Sequence, residues 1–219
     1  MDASPDGYTL GLIIAANAVW VTLDQKLNFN YARDIAPVTG ISRNPFVMVV
    51  NPSVLAKTVP EFIAYAKANP RKLNMASSGY GSILHLTGEL FKMMADINMD
   101  HVPYQRAAPA ITGLLSGQAQ VMFTPLPIAI QQIRAGKLRA LAVTSAMRSE
   151  ILPDIPTATL YRATRRAAFR DLFAPKNTPA EIINRLDKEI NAVLADPTLR
   201  RSLAEFGDTA LPLSSADFW

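Results

Sequence analysis

The chain has 219 residues, a formal net charge of +4 at pH 7 and no cysteine. The missing thiols exclude disulfides, thiolate metal sites and cysteine nucleophiles. With 49% hydrophobic and 18% charged residues, the composition is typical of a globular protein and excludes a disordered one. No run approaches the roughly 20 apolar residues that a membrane helix needs, so we expect a protein that is not membrane-embedded.

The positive charge is concentrated in one short segment. Residues 160–171 contain four arginines and one aspartate, and the rest of the chain is close to neutral. A nucleic-acid-binding protein usually carries a basic stripe with interleaved aromatic residues, so we expect no nucleic-acid partner. The amino-terminal residues 1–7 lack a basic start followed by an apolar stretch, and no signal peptide is recognisable in them.

The first predicted elements are three strands and a helix. Residues 8–14 form a short apolar run after a Pro-Asp-Gly turn, and residues 36–42 and 46–50 are also predicted strands. The helix begins after Thr58, an N-cap followed by proline in the first turn and glutamate three residues on, and it ends at Asn69.

From residue 73 onward, strands and helices alternate. The strands are predicted at residues 73–76, 99–104, 119–123 and 138–144, and the helices at residues 81–95, 107–115 and 127–135. Strands that alternate with helices of about a dozen residues indicate βαβ units. The sequence therefore predicts an α/β protein with mostly parallel sheets.

This alternation ends in the last third of the chain. Residues 158–169 are rich in arginine and show no strand pattern. Two helices are predicted at residues 179–194, with Thr178 as N-cap, and at residues 197–206. Residues 210–213 could form an edge strand.

The loop Ser77-Ser78-Gly79-Tyr80-Gly81-Ser82 connects a predicted strand to a predicted helix. Its glycines allow the backbone to approach a ligand closely, and a helix start offers unpaired N–H groups that suit an anion. An ordinary turn with serine capping explains the same residues equally well. The loop is not a dinucleotide fingerprint, because Leu84 stands at the third glycine position, and no Lys-Ser or Lys-Thr pair makes it a Walker loop.

Two further loops, at residues 104–109 and 124–127, also follow a strand and open a helix. In parallel sheets such strand ends lie at one edge, where ligands bind. We therefore expect three helix starts that surround a carboxylate with N–H donors. Tyr104 is equally consistent with a surface aromatic residue.

The two histidines, His85 and His101, do not indicate catalysis or metal binding. A serine hydrolase would need a Gly-x-Ser-x-Gly elbow, which the sequence lacks, and a metal site would need a cluster of His, Asp and Glu. We expect His85 to be a packed or capping residue. We also expect no cofactor, no metal and no enzymatic activity.

Short motifs along the chain occur in the order found in one known family. They are Pro-Asp-Gly-Tyr-Thr-Leu at 5–10, Asp-Ile-Ala-Pro-Val-Thr at 34–39, Ser-Gly-Tyr-Gly-Ser at 78–82 with His85 after it, Val-Pro-Tyr at 102–104, Ala-Gly-Lys-Leu-Arg-Ala-Leu-Ala-Val-Thr at 135–144, Ala-Pro at 174–175 and Thr-Pro at 178–179. In this ordered set the chain resembles the Bug family, the extracytoplasmic solute receptors of tripartite tricarboxylate transporters.

The resemblance implies a two-lobed periplasmic receptor of Venus-flytrap architecture, with residues 1–45 and 166–219 in the first lobe and residues 46–165 in the second. It also implies a small organic acid as ligand, the membrane components of the transporter as partners, and a monomer. Such receptors hold carboxylates with backbone N–H groups, hydroxyls and water. The ligand-binding residues expected from the resemblance are Asn17 in the first lobe and Ser77, Ser78, Gly79, Tyr80, Gly81, Ser82, Tyr104, Ala107 and Thr124.

The chain departs from the family pattern in several places. It begins after the usual first strand and Pro-Gly-Gly-type loop and stops before the usual final helix, so we expect an incomplete first lobe. Arg106 stands where a glycine is usual. The arginine-rich residues 160–171 replace an acidic stretch, and we hypothesise that they are locally frameshifted. Two alternatives stay open: a non-functional fragment of such a receptor, and a small hydrolase that uses the same loops as an anion hole.

Overall fold

The computed structural model describes residues 3–14, 30–145, 149, 151–157 and 168–213. The strands within these ranges are β1 (Gly11–Ile14), β2 (Ile35–Asn44), β3 (Phe46–Val50), β4 (Asn74–Ser77), β5 (Asp100–Pro103), β6 (Val121–Pro125), β7 (Arg139–Val143), β8 (Ala168–Pro175) and β9 (Thr209–Ala210). The helices are α1 (Tyr31–Asp34), α2 (Val59–Ala68), α3 (Ile83–Ala95), α4 (Ala107–Leu115), α5 (Leu126–Arg134), α6 (Ala180–Leu194) and α7 (Pro197–Glu205). The candidate ligand residue Asn17 and the arginine-rich residues 158–167 lie outside the described residues.

Side chains cap four of the helices in the described ranges, and α4, α5 and α6 begin without a side-chain cap. The predicted N-cap Thr58 is confirmed, because its hydroxyl accepts a hydrogen bond from the Glu61 amide at 3.3 Å. The predicted N-cap Thr178 is wrong. Pro179 occupies the N-cap position of α6, and the Thr178 hydroxyl instead donates to the Pro175 carbonyl at 2.7 Å. Thr178 therefore closes the turn before the helix.

The chain forms two compact units, Met1–Arg43 with Ala168–Trp219, and Asn44–Ala167. A four-stranded sheet of order β1-β8-β2-β9 belongs to the first unit, and a five-stranded sheet of order β5-β4-β6-β3-β7 to the second. The assignment of these units to two receptor lobes stays a prediction. In the described part of the chain, no helix combines the length and the apolar character that crossing a membrane requires.

The sheet of the second unit is mixed. Strand β4 runs parallel to both β5 and β6, whereas β3 runs antiparallel to β6 and β7. In the other unit β1 is antiparallel to β8, and β2 to β9. The expectation of mostly parallel sheets is therefore corrected. The direction of β3 is set by partners far along the chain, which a local pattern does not contain.

Strand β8 was not expected from the arginine-rich sequence. It pairs with β1 from Gly11 opposite Phe173 to Ile14 opposite Arg170. The Arg170 guanidinium also donates to the Asp208 carboxylate at 2.8 Å. These long-range partners override the weak local strand pattern.

The core of the second unit depends on a close approach of α3 to β4. Gly88 of α3 lies where an added Cβ would overlap the Met75 thioether. This contact seats Phe91 of the same helix against Phe123, with ring centroids 5.3 Å apart. The ring centroid of Phe62, on α2, lies 6.1 Å from that of Phe91, and all three rings are fully buried.

We predict that Gly88→Ala destabilises the protein by about 1–3 kcal/mol through overpacking, although alanine is the better helix former. Urea denaturation would measure the change. A cycle with Met75→Ala isolates the cause, because removing the thioether should make the alanine at position 88 less costly. Additive effects in this cycle would contradict the close contact.

The Asp171 carboxylate is the unusual group of the first unit. Asp171 is buried, and its Oδ1 has no hydrogen-bond partner among the described residues. Burial raises the pKa of this carboxyl to about 6. A carboxyl group with a pKa above its unfolded value costs stability when it is ionised, and the cost disappears as the pH falls through the folded pKa towards 4.

Asp171→Asn should therefore stabilise the protein at pH 7.5 by about 1–3 kcal/mol, since the amide removes the buried charge. The advantage over the unsubstituted protein should shrink to nearly zero at pH 4.5. Denaturation at both pH values measures it, with the exposed Asp154→Asn as control. An equal or smaller stability of Asp171→Asn at pH 7.5 would contradict the burial cost.

Candidate functional site

Three helix N-termini lie at one edge of the five-stranded sheet. Because β4 is parallel to β5 and β6, the carboxyl ends of these strands face the same way. Helix α3 begins at Ile83 after β4, α4 at Ala107 after β5, and α5 at Leu126 after β6. The positive ends of three helix dipoles and their unpaired amides therefore converge on this edge, which suits an anion.

The loop Ser77–Ser82 turns sharply between β4 and α3. Gly79 and Gly81 have φ angles of +114° and +71°, a region that favours glycine. The Ser82 hydroxyl caps α3 by accepting the His85 amide at 3.2 Å. The Ser82 amide donates in turn to the Gly79 carbonyl at 3.3 Å. These bonds fix the loop backbone without a ligand.

Several donors of the loop remain available. The amides of Ser78 and Tyr80, and the first two amides of α3 at Ile83 and Leu84, have no hydrogen-bond partner among the described residues. Ser78 is half-buried, and the Tyr80 side chain is 73% exposed. Amides of this kind, with a free hydroxyl beside them, form strong hydrogen bonds to a carboxylate.

Ser77 has a different role from the other serines, because it is fully buried. Its Oγ accepts the Gly79 amide at 3.1 Å and lies 2.6 Å from Nε2 of His101. Nδ1 of His85 accepts the Gly81 amide at 3.2 Å. Both histidines therefore hold the loop. The sequence does not indicate this shared role, because His85 and His101 are far apart in the chain. They come together only where α3 and β5 meet.

The environment of His101 favours its neutral form. Burial lowers the pKa of His101 most, and positive charge at His85 and Lys92 lowers it further, whereas Glu89 raises it. Nδ1 of His101 is buried and has no hydrogen-bond partner in the described ranges. A proton added there would be an unsatisfied buried donor, which agrees with the direction of the shift.

Tyr104 contributes its backbone to the site region, and its side chain points elsewhere. The Tyr104 amide donates to the Ser77 carbonyl at 2.9 Å. Its phenol ring packs over Gly113, and the hydroxyl lies 3.4 Å from the Gln118 side chain, beyond the carboxyl end of α4. Contact of the Tyr104 side chain with a ligand stays a prediction.

The remaining predicted residues lie at the same sheet edge or outside the described ranges. Ala107 is the first residue of α4, whose N-cap, Arg106, is exposed and makes no side-chain capping bond. Thr124 is fully buried, and its hydroxyl has no partner among the described residues. Asn17 falls in the part of the chain that is not described.

A family model described as the tripartite tricarboxylate transporter family receptor matches residues 1–218. The chain belongs to this family. Its members are solute-binding receptors and not enzymes, which removes the hydrolase alternative. Protein BugT of Bordetella pertussis is 32% identical over 211 residues, covering 94% of this chain and 65% of BugT. The chain spans about three-fifths of the length of the first curated relatives that it matches.

Solved receptors share the fold. A Rhodopseudomonas palustris protein with adipate is 30% identical, with a TM-score of 0.88 over 99% of this chain and 73% of that chain. MatC from the same species, with bound malate, is 27% identical, with a TM-score of 0.82 over 94% of this chain and 71% of that chain. The predicted α/β periplasmic-binding-protein fold is confirmed.

The capping bond of Ser82 should be measurable. We expect Ser82→Ala to destabilise the protein by about 1 kcal/mol, because the His85 amide loses its acceptor. The control is Ser53→Ala, which removes an exposed serine hydroxyl. Urea denaturation compares the two variants. Equal stabilities would show that the cap does not hold the start of α3.

Proposed function

We propose that the protein is a periplasmic solute receptor that captures a small organic acid for the membrane components of a tripartite tricarboxylate transporter. Membership of the receptor family supports this function. Two solved relatives carry adipate and malate, both dicarboxylates. The single observation that carries the proposal is the cluster of available donors in the Ser77–Ser82 loop, at the edge where three helices begin.

The residues of the loop divide into contacts and supports. We assign Ser78 and the amides of Tyr80 and Ile83 to direct contact with one ligand carboxylate, because they are available and partly accessible. Gly79 and Gly81 give the backbone the left-handed turns that point these amides outward. The buried Ser77 and the capping Ser82 act as supports.

Two other helix starts extend the proposed site. The uncapped start of α4 offers the Ala107 amide, and the buried Thr124 hydroxyl lies at the end of β6. We assign these groups to the rest of the ligand. Asn17 is proposed as a ligand residue on the family resemblance alone. Binding of this kind needs no cofactor, since all the donors belong to the protein.

The fragment alternative predicts a folded chain that binds no acid. Acid binding therefore separates this alternative from the proposed receptor.

Thermal unfolding with adipate, malate and citrate at pH 7.5 tests the function. At 100 times Kd, one acid should raise the unfolding temperature by about 5 °C or more. Adipamide, the uncharged diamide, should cause no shift. A folded sample that responds to none of the acids would instead support the fragment.

Calorimetry of two serine variants tests the assignment of Ser78. Ser78→Ala should weaken binding of the responding acid about five- to tenfold, because it removes one hydrogen bond to a charged group. Ser53→Ala should bind like the unsubstituted protein. Unchanged affinity in Ser78→Ala would place the carboxylate elsewhere on the protein.

A further inference from the structure

Two histidine rings stack directly beside the proposed ligand loop. The rings of His85 and His101 are 3.9 Å apart between centroids, with an angle of 22° between their planes. The Tyr80 ring meets both edge-on, with centroid distances of 5.7 Å to His85 and 4.9 Å to His101. The loop aromatic, one residue of α3 and one of β5 thus form one cluster.

The hydrogen bonds of Ser77 define the proton position on His101. The Ser77 hydroxyl accepts the Gly79 amide and can donate to the Gly79 carbonyl, both at 3.1 Å. Nε2–H of His101 then donates to the remaining lone pair of Ser77 Oγ at 2.6 Å. This arrangement satisfies every group of Ser77 and leaves only an acceptor, Nδ1 of His101, without a partner in the described ranges.

His85 contacts the loop through a ring nitrogen that acts as a hydrogen-bond acceptor. Its Nδ1 accepts the Gly81 amide at 3.2 Å, so its proton lies on Nε2, which faces the Glu89 carboxylate at 3.7 Å. A second proton, on Nδ1, would meet the Gly81 N–H and break this bond. Gly81 would then lose the contact that fixes its left-handed conformation.

We propose that His85 and His101 are positioning residues of the ligand loop, which hold Ser77 and Gly81 in the binding conformation as a neutral stacked pair and release the loop when protonated. The proposal rests on the carboxylate-binding function of that loop. Its consequence is that affinity for the organic acid falls as the pH decreases.

The charged groups described near the two histidines lie on α3 and at the start of β5. On α3, Glu89 faces His85, and Lys92 pairs with Glu89 at 2.9 Å, which offsets the carboxylate. At the start of β5, Asp100 is exposed and lies 3.6 Å from Arg71. The Tyr80 hydroxyl belongs to an exposed side chain. Two stacked imidazolium ions would repel each other, so the pair is stable only when at least one ring is neutral.

A simple charge effect would act in the opposite direction. Protonated histidines attract a carboxylate, and they would strengthen binding at low pH if they faced the ligand. Here the nitrogens that bond the loop are directed at Ser77 and Gly81, so protonation acts first on the loop conformation. The sign of the pH dependence therefore separates a positioning role from a charge role.

Conservative variants can keep the hydrogen bonds and remove the titration. Asparagine at position 85 places an amide oxygen near Nδ1, and glutamine at position 101 places an amide near Nε2. We expect the double variant His85→Asn/His101→Gln to bind adipate or malate within about twofold of the unsubstituted protein at pH 7.5. His85→Leu and His101→Leu should each weaken binding about tenfold at every pH, because they remove a bond to the loop.

Calorimetry at pH 7.5 and 5.5 gives the decisive comparison. The unsubstituted protein should lose about three- to tenfold in affinity at pH 5.5, as its binding-competent fraction decreases, and the double variant should lose much less. The titration of the acid itself is the same for both proteins. Equal losses, or an affinity of the unsubstituted protein that rises at pH 5.5, would overturn the proposal.

A ligand-free measurement separates this proposal from the proposed function. Nitrogen-15 NMR of the unsubstituted protein should find both histidines as Nε2–H tautomers at pH 7.5, with the Gly81 amide shifting as they protonate. If the protein binds neither acid, the function fails, and this measurement still decides the role of the pair. A proton on Nδ1 of His85, or a Gly81 amide that does not follow the titration, would overturn it.

Discussion

The parallel pairing of β4 with β5 and β6 determines where the proposed ligand site lies in the second unit. It directs three strand ends to one edge and obliges α3, α4 and α5 to begin there. It also sets Met75 opposite His101, so that the next residue on the same face of β4, Ser77, lies diagonally beside the imidazole. The loop and its support are thus consequences of one strand register.

Burial separates the roles of neighbouring loop residues. Ser77 is fully buried, and its hydroxyl is hydrogen-bonded to Gly79 and His101. Ser78, one position later, is half-buried and keeps its donors available. Ser77 is the last residue of β4, and Ser78 is the first residue of the loop that leaves the sheet. A rigid inner residue and an accessible outer one are what a preorganised anion site requires.

Local chemistry was readable from the sequence, and tertiary partners were not. The cap at Thr58 and the loop between β4 and α3 depend on residues within a few positions of one another. The antiparallel direction of β3 and the contact of His101 with Ser77 depend on chain segments brought together by folding. The position of the Tyr104 ring also depends on a residue that folding brings close, because Gly113 has no side chain and leaves space for the ring beside α4.

The pairing of strand β8 bears on the hypothesis that the arginine-rich segment is frameshifted. Residues 168–171 were included in the hypothesis of a local frameshift, yet they belong to β8. Arg170 and Asp171 pair with β1, and Arg170 has a specific partner in Asp208. Asp171 fits less well, because its carboxylate is buried at a cost in stability. In β8, the charge of Arg170 has a partner and the charge of Asp171 does not fit its buried position. Neighbouring strands that accept many different sequences in β8 account for both. The backbone bonds to β1 and β2 then maintain the strand, and the side chains adjust to it.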